Sequence, residues 1–239
     1  MLICFEGLDG VGKSTIAKTI SKEMNIRLLE KPLKSLLELS PEQSKGITER
    51  IYSSYSPRLQ SMYYLMGYLS VLEDAQKENV IFDRGLLSTY YFSCNDSTEF
   101  LFDSIVGNCG TPDLTIILYA SIEERLKRIK SRDSEDKDLN KKRLYVDGYL
   151  KYFEGVNRYN MPYYLINTEH LNQQEVENLC KKIVSAFLKD NKPNSAIQQL
   201  LSIESMEELS KMSYNDLDIS LESCLLQKSE EAKGHGLKR

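Results

Sequence analysis

The stretch FEGLDGVGKST, residues 5–15, contains Gly7, four further residues, and then Gly12, Lys13 and Ser14. It lies between an apolar run and a helical pattern, so we expect a strand, a glycine-rich turn and a helix in succession. Backbone N–H groups of such a turn converge on one point and bind phosphates. The pattern therefore predicts a P-loop for a nucleotide and Mg²⁺. Its predicted nucleotide-binding residues are Gly7, Asp9, Gly10, Val11, Gly12, Lys13, Ser14 and Thr15, with Ser14 also a metal ligand.

Apolar runs typical of strands alternate along the chain with longer helical patterns. The strands are predicted at 2–7, 26–32, 79–85, 112–121 and 163–169, and the helices at 14–24, 57–78, 86–107, 121–132, 138–155 and 172–189. This alternation predicts an α/β fold, a doubly wound parallel five-stranded sheet with helices on both faces. Ligands of such sheets bind at the carboxyl ends of the strands, where Glu6, Asp9, Asp83 and Arg84 are expected.

Composition limits the partners and the location. Hydrophobic residues make up 41% and charged residues 28%, and the formal net charge is −4, so no nucleic-acid partner is expected. No basic leader and no apolar stretch near the length of a membrane span is present, which predicts a cytoplasmic protein without a membrane partner. We expect one nucleotide-binding α/β domain at 1–189, followed at 190–239 by a linker and a polar, partly helical C-terminal extension of unknown partner.

The P-loop is shared by kinases, GTPases and ATPases, so other segments must separate these classes. The segment DRGLLS lacks the DxxG pattern of a GTPase, and NKP at 191–193 lacks the aspartate of a guanine reader. The third predicted strand ends in Asp83 and Arg84 rather than in the Asp-Glu of an ATPase motor. A carboxylate can orient Mg²⁺ while a guanidinium grips a second phosphate, which favours phosphoryl transfer.

A third charged cluster follows the fourth predicted strand, in EERLKRIKSRDSEDKD. Arg125, Arg128 and Arg132 are spaced so that they share one helical face. Such a face is either simply solvated or part of a lid that supplies positive charge to the transferred phosphoryl group.

These motifs together resemble the thymidylate kinase family of nucleoside monophosphate kinases. The phosphate loop with its acidic Asp9, the segment VIFDRGLLST, the segment GTPDLTIILYASIEERLKRIKSR and the closing YYLINTEHLNQQEVENLCKKIVSAFL follow the family's order and spacing. The resemblance covers residues 1–189. It implies transfer of the ATP γ-phosphoryl group to a nucleoside monophosphate, with dTMP favoured, and with Mg²⁺.

The resemblance also assigns roles residue by residue. Lys13 and Ser14 would serve ATP and Mg²⁺, and Asp9 the 3′-hydroxyl region of the deoxyribose. Asp83 would lie at the metal, and Arg84 near the acceptor phosphate. The predicted catalytic residues are Asp9, Lys13, Arg84, Arg128 and Arg132, and the predicted substrate-binding residues are Asp9, Arg58, Asp83, Arg84 and Ser88. The family is commonly dimeric, so the apolar helix around 61–72 is expected either to form a homodimer interface or simply to fill the core.

Departures from the family pattern lie on the acceptor side. LEKPLK, with Lys31, replaces REPGG, and YYLMGYL lacks the arginine expected before the Asp-Arg strand, for which Arg58 is the candidate replacement. Ser93 stands where the family has a base-reading glutamine. Aromatic residues are abundant nearby, and one or two of them could stack on the acceptor base. These are Tyr52, Tyr55, Tyr63, Tyr64, Tyr68, Tyr90, Tyr91 and Phe92.

Two other functions stay open at this level. The missing acceptor-side arginine is compatible with a deoxynucleoside kinase that phosphorylates a 5′-hydroxyl, although such enzymes usually have Glu-Arg-Ser where this chain has Asp83, Arg84 and Gly85. The second is a nucleotide-binding interaction protein with reduced catalysis, whose partner binds residues 190–239.

Overall fold

A computed structural model describes residues 1–190 of the 239-residue chain, except residues 31, 32, 34, 35, 134–138 and 140–147. The predicted C-terminal extension therefore lies outside the described residues, apart from residue 190. In the described part, no helix combines the length and the apolar character that crossing a membrane would require.

The described elements form one parallel sheet with helical connections. The strands are β1 (Leu2–Glu6), β2 (Arg27–Leu29), β3 (Val80–Asp83), β4 (Leu114–Tyr119) and β5 (Tyr163–Asn167). The helices are α1 (Lys13–Met24), α2 (Pro41–Ser54), α3 (Pro57–Ala75), α4 (Leu86–Ser93), α5 (Glu99–Cys109), α6 (Ile122–Arg132), α7 (Tyr149–Arg158) and α8 (Gln173–Asp190). The sheet order is β2-β3-β1-β4-β5, and every pairing is parallel.

Alternation of side chains along the central strands creates a core on each side of the sheet. In β1, Leu2 and Cys4 face the core formed with α3, α4, α5 and α7. Ile3 and Phe5 face the opposite core, which α1 and α8 cover. Because both faces are covered, the strands are apolar almost throughout, as predicted. The doubly wound α/β fold is confirmed.

Two helix predictions differ from the structure. The predicted helix 86–107 is two helices, because the segment 94–98 is rich in polar residues that bond to the backbone instead of continuing the helix. The Thr98 hydroxyl accepts from Asn95 N at 2.9 Å and donates to Ser93 O at 2.8 Å. The helix predicted at 138–155 is α7, which begins only at Tyr149; residues 138 and 140–147 lie outside the described part.

Helix α2 is absent from the prediction, although the sequence carries its signal. Ser40 Oγ accepts from Gln43 N at 3.2 Å, and Gln43 Oε1 accepts from Ser40 N at 2.8 Å, which is a complete capping box. Pro41 occupies the first helical turn, where its missing N–H costs no hydrogen bond. The Ser-Pro-x-Gln pattern was therefore sufficient to predict the start of a helix at residue 41.

Candidate active site

The phosphate loop lies between β1 and α1, at the carboxyl end of the sheet. Gly10 and Gly12 have φ values of +93° and +90°, which residues with a side chain rarely adopt. A Cβ atom on Gly10 would also lie 2.8 Å from the carbonyl oxygen of Arg125. Glycine is therefore required at Gly10 by both backbone conformation and close packing against α6.

Lys13 is the first residue of α1, and only 4% of it is exposed. Its Nζ donates to Leu8 O at 3.3 Å and lies 3.9 Å from Asp9 Oδ1. Burial, followed by the nearby Arg84 charge, lowers the pKa of Lys13 from 10.5 to about 8, while nearby carboxylates act in the opposite direction. Ser14 follows in a partly buried position, and Thr15 is exposed.

Asp83 is the last residue of β3, and Arg84 follows it directly; β3 pairs with β1 so that Phe5 lies opposite Asp83. Arg84 donates to Asp9 of the phosphate loop, so the structure brings together the three predicted residues. The backbone of Arg84 has a φ of +70°, an unfavourable conformation for a residue with a side chain. Such local strain is typical of positions whose side chain must point in one direction.

The carboxylate of Asp83 suits a metal ion. Asp83 is buried, with 6% exposed, and its Oδ1 has no hydrogen-bond partner among the described residues. A buried carboxylate oxygen without a partner is costly unless a cation or a ligand satisfies it. Oxygen donors such as this carboxylate and the hydroxyl of Ser14, in the first turn of α1, are the kind that Mg²⁺ prefers. These residues therefore fit the metal that the P-loop pattern predicts.

A cavity of about 680 Å³ opens beside these residues. Asp9, Asp83, Arg84 and Ser88 line it together with side chains from α2 and α3. The aromatic residues that line it are Tyr52, Tyr63, Tyr64, Phe82 and Phe92, and the polar residues from α2 are Ser44, Lys45, Thr48 and Glu49. Its size and its mixture of aromatic and polar groups are appropriate for a nucleotide.

The aromatic residues form a wall rather than a scattered set. The ring centroid of Tyr64 lies 5.8 Å from that of Tyr52 and 5.2 Å from that of Tyr63. Of the other predicted aromatic residues, Tyr68 and Tyr90 are fully buried and belong to the core. Helix α2 contributes one of these rings and four polar lining residues. The sequence analysis missed this part of the cavity because it missed the helix.

Two residues considered for the acceptor side point elsewhere. Arg58 Nε donates to Ser97 O at 3.1 Å, and its guanidinium lies 5.9 Å from the Phe100 ring centroid. Ser93 is buried and donates to Thr89 O at 2.8 Å. Neither side chain is among the described residues that line the cavity.

The three arginines of α6 have different surroundings. Arg125 is 2% exposed and packs against Gly10, as described above. Arg128 is bonded to Glu124 Oε1 at 2.9 Å, to Thr168 Oγ1 at 2.9 Å and to Thr168 O at 2.7 Å. Arg132 is exposed at the end of the helix, next to residues outside the described part. Helix α6 therefore contacts the phosphate loop at its start and presents positive charge at its end.

Glu6, the last residue of β1, is completely buried beneath the site. It accepts from Leu87 N at 2.9 Å and from Ser88 N at 3.2 Å, and its Oε2 is hydrogen-bonded to the Ser88 hydroxyl. Burial raises its pKa from 4.5 to about 7, although the bonds from Ser88 and the charge of Lys13 act in the opposite direction. Glu6 was expected at this edge of the sheet, but no role was predicted for it.

Comparison with known proteins agrees with this geometry. The family model described as thymidylate kinase matches residues 5–180. A probable thymidylate kinase of Methanocaldococcus jannaschii is 33% identical over 181 residues, which are 74% of this chain and 92% of the relative.

Two solved structures share the fold. A thymidylate kinase from Candida albicans has a TM-score of 0.58 at 17% identity, covering 77% of this chain and 91% of that one. A deoxyadenosine kinase from M. mycoides has a TM-score of 0.57 at 23% identity, covering 78% and 100%. Since the family model covers most of the sequence, this chain belongs to the thymidylate kinase family and is a nucleoside monophosphate kinase.

Proposed function

We propose that the protein transfers the γ-phosphoryl group of ATP to a deoxynucleoside monophosphate, with dTMP as the favoured acceptor. One observation carries this proposal. Asp9, Asp83 and Arg84 line a nucleotide-sized cavity directly beside the phosphate loop, so a second anion can lie next to the donor phosphates. Family membership supports the same reaction.

On the donor side, the backbone amides of residues 7–15 bind the ATP phosphates, and Lys13 places its charge at the transferred group. Ser14 and Asp83 would hold Mg²⁺. When bound, the ion neutralises charge on the phosphate oxygens. Among the described residues, the buried Lys13 has a hydrogen bond to one carbonyl and a longer ion pair to Asp9, so its charge is available to a phosphate.

On the acceptor side, Arg84 holds the monophosphate, and Asp9 orients both Arg84 and the 3′-hydroxyl region of the sugar. Ser88 lines the cavity and supports this end of the site. Arg58 does not enter the proposal, because its guanidinium is bonded to Ser97. The acceptor phosphate is already an anion, so no general base is needed, and positioning and electrostatics provide the catalysis.

Arg128 and Arg132 would stabilise the charge of the transferred phosphoryl group. For Arg128 this requires its bonds to Thr168 to be exchanged for bonds to phosphate. A guanidinium suits both arrangements because its planar fork can bind either a carbonyl and a hydroxyl or two phosphate oxygens. Closure of α6 over bound ATP would make this exchange.

A direct assay of acceptors tests the proposal. The full-length protein is incubated with ATP and Mg²⁺ and with thymidine, dTMP, dUMP, dCMP, dAMP or dGMP in turn, and the products are separated by chromatography. We expect dTMP to give the highest kcat/KM. Arg84→Gln should raise the acceptor KM about 10- to 150-fold, since a hydrogen bond to a charged group contributes about 1.5–3 kcal/mol.

The matched control is Arg50→Gln, because Arg50 is exposed on α2 and is not among the described lining residues. Phosphorylation of thymidine alone would contradict the proposal and favour the deoxynucleoside kinase, the function that the missing acceptor-side arginine supports. No turnover with any of these acceptors would favour the interaction protein, with residues 190–239 as its partner-binding element.

A further inference from the structure

Three buried side chains connect the phosphate loop to the helix that follows Arg84. Tyr152 OH on α7 donates to Gly7 O at 3.3 Å and lies 3.1 Å from Ser88 Oγ. Ser88 Oγ in turn contacts Glu6 Oε2. The contacts therefore run from the carbonyl of the first loop glycine, through Tyr152 and Ser88, to the carboxyl group of Glu6.

This chain of contacts joins the donor and acceptor halves of the site. Gly7 opens the loop that binds the donor phosphates. Ser88 lies in the first turn of α4, which begins directly after Arg84 and Gly85. Glu6 Oε1 also accepts the N–H groups of Leu87 and Ser88, so the start of α4 is bound to the end of β1 by both carboxyl oxygens.

A neighbouring tyrosine on the same helix bonds the loop to a different element. Tyr149 OH accepts from Leu8 N at 3.3 Å and donates to Leu118 O at 2.7 Å, which connects the loop to β4. Tyr149 and Tyr152 are thus one helical turn apart and hold adjacent residues of the loop. Only Tyr152 also reaches the acceptor side.

Burial separates Tyr152 from the substrates. Tyr152 and Glu6 are both 0% exposed, and Tyr152 is not among the described residues that line the cavity. Burial, followed by the nearby Glu6, raises the pKa of Tyr152 well above its ordinary value, so its hydroxyl keeps its proton. Tyr152 therefore acts on the reaction through Gly7 and Ser88 rather than by touching the reacting atoms.

The three contacts can all be hydrogen bonds only if enough protons are present. The three contacts Glu6–Ser88, Ser88–Tyr152 and Tyr152–Gly7 need three protons, but the two hydroxyl groups bring only one each. The third proton would come from a protonated Glu6, which would donate from Oε2 to Ser88 Oγ while Oε1 accepts from the two backbone amides. The ionisable groups that interact with Glu6 are Cys4, Lys13, Tyr68 and Tyr152.

We propose that Tyr152 is a positioning residue that, through Ser88 and a protonated Glu6, fixes the phosphate loop relative to the Asp83–Arg84 turn. The inference rests on the proposed function only in that Arg84 holds the acceptor. Without the Tyr152 hydroxyl, both substrates still bind, but the phosphates lie at a less well defined separation. The effect should therefore appear in kcat rather than in either KM.

The experiment compares Tyr152→Phe with Tyr68→Phe. Both tyrosines are buried in the same core, and each donates to a backbone carbonyl at 3.3 Å, but the Tyr68 bond goes to Gly110, away from the site. We expect Tyr152→Phe to lower kcat about 10- to 100-fold with both KM values nearly unchanged. Tyr68→Phe should keep kcat while showing a similar change in melting temperature.

Two further variants test the connection itself. Glu6→Gln can accept at its carbonyl and donate from its amide to Ser88, so it should keep kcat close to that of the parent. Tyr152→Phe and Ser88→Ala interrupt the same series of contacts. The double variant should therefore have a kcat no lower than that of the slower single variant. All variants are measured with the acceptor that the parent protein turns over best.

The possible failures are distinguishable. If the parent turns over no acceptor, the proposed function is wrong. If the parent is active but Tyr152→Phe keeps its kcat, or only raises the ATP KM, the positioning role is refuted. A loss of kcat in Glu6→Gln as large as that in Tyr152→Phe would overturn the protonated chain, and additive effects of the two single changes would show that Tyr152 does not act through Ser88.

Discussion

Lys13 carries a positive charge in a buried position, and the free-energy cost of burying this charge is connected with the function of the residue. The ammonium group has a hydrogen bond to one carbonyl and a nearby Asp9, and it faces the positive Arg84. A bound polyphosphate would compensate this charge. The buried charge destabilises the nucleotide-free protein, and binding of the nucleotide removes this destabilisation.

This arrangement predicts how ATP binding depends on pH. Because the pKa of Lys13 is lowered to about 8, the free protein loses this charge as the pH rises above 8. The apparent KM for ATP should therefore rise between pH 7.5 and pH 9, and ATP binding in that range should take up protons. Calorimetry in buffers of different ionisation enthalpy measures the uptake; binding without proton uptake at pH 8.5 would contradict the assigned pKa.

The same pKa determines the sign of a stability effect. Between about pH 8 and 10.5 the unfolded chain binds more protons at this lysine than the folded one, so stability should rise with pH there. Lys13→Met should raise the melting temperature of the nucleotide-free protein at pH 7 while lowering kcat about 10²- to 10³-fold. Lys22→Met, an exposed change on the same helix, is the control and should alter neither property.

Among the elements, the start of α4 is packed against β1 so closely that one position accepts no side chain. A Cβ atom on Gly85 would lie 2.6 Å from Cys4 Sγ and 3.2 Å from Glu6 Oε1. The glycine therefore allows Arg84 and Ser88 to lie directly beside the phosphate loop.

We expect Gly85→Ala to lower the free energy of unfolding by about 1–3 kcal/mol, as overpacking of a core does, and to reduce kcat by displacing α4. Cys4→Ala should offset part of the loss, because it removes the sulfur that the new methyl group meets. Urea unfolding measures the free energy of unfolding of Gly85→Ala and of the variant that also carries Cys4→Ala. Gly107→Ala is the control, since nothing lies within 4 Å of a Cβ there; full additivity of the Gly85 and Cys4 changes would contradict the proposed contact.

The capping box of α2 is expected to affect acceptor binding, because it stabilises a helix that lines the cavity. It provides Ser44, Lys45, Thr48, Glu49 and Tyr52 to the cavity, while much of its surface is exposed. Ser40→Ala removes the cap and should destabilise the helix by about 1 kcal/mol. The acceptor KM should rise while the ATP KM stays unchanged, and Ser40→Asp, which keeps a capping oxygen, should restore it. Equal changes in both KM values would show that α2 does not serve the acceptor.

At the scale of the whole molecule, α3 has two different faces. Leu65, Tyr68 and Val71 are buried against the sheet, while Leu59, Met62 and Met66 are 40–45% exposed. An exposed apolar strip of this kind often marks an interface between protein chains. The strip and the family resemblance together lead us to propose a homodimer with α3 at its centre.

Light scattering coupled to size exclusion tests this proposal. We expect the mass of two chains for the parent protein and of one chain for Met66→Glu, because a charge at a symmetric interface meets its own copy. Glu73→Gln changes an exposed residue of the same helix and should leave the mass unchanged. A parent protein with the mass of one chain would exclude the dimer at the concentration measured.

The sequence by itself determined the order of strands and helices, the phosphate loop and the family. These features are encoded in consecutive residues: GxxxxGKS from Gly7 to Ser14, apolar runs at strand spacing, and Asp83–Arg84 directly after such a run. It also contained the start of α2 in Ser40-Pro41-x-Gln43, and the break after α4 in a run of Asn, Asp, Ser and Thr, although neither was predicted.

Only the tertiary structure decided which distant residues meet. The contacts of Ser88 with Glu6 and with Tyr152 join residues 82 and 64 positions apart, and nothing in a local pattern specifies such a pairing. The same is true of Asp83 Oδ1, which has no hydrogen-bond partner in the described part of the chain, of Arg58 pointing away from the cavity, and of the wall that α2 adds to the cavity. Local patterns determine which conformation a segment prefers, whereas burial and hydrogen-bond satisfaction depend on the packing of all segments at once.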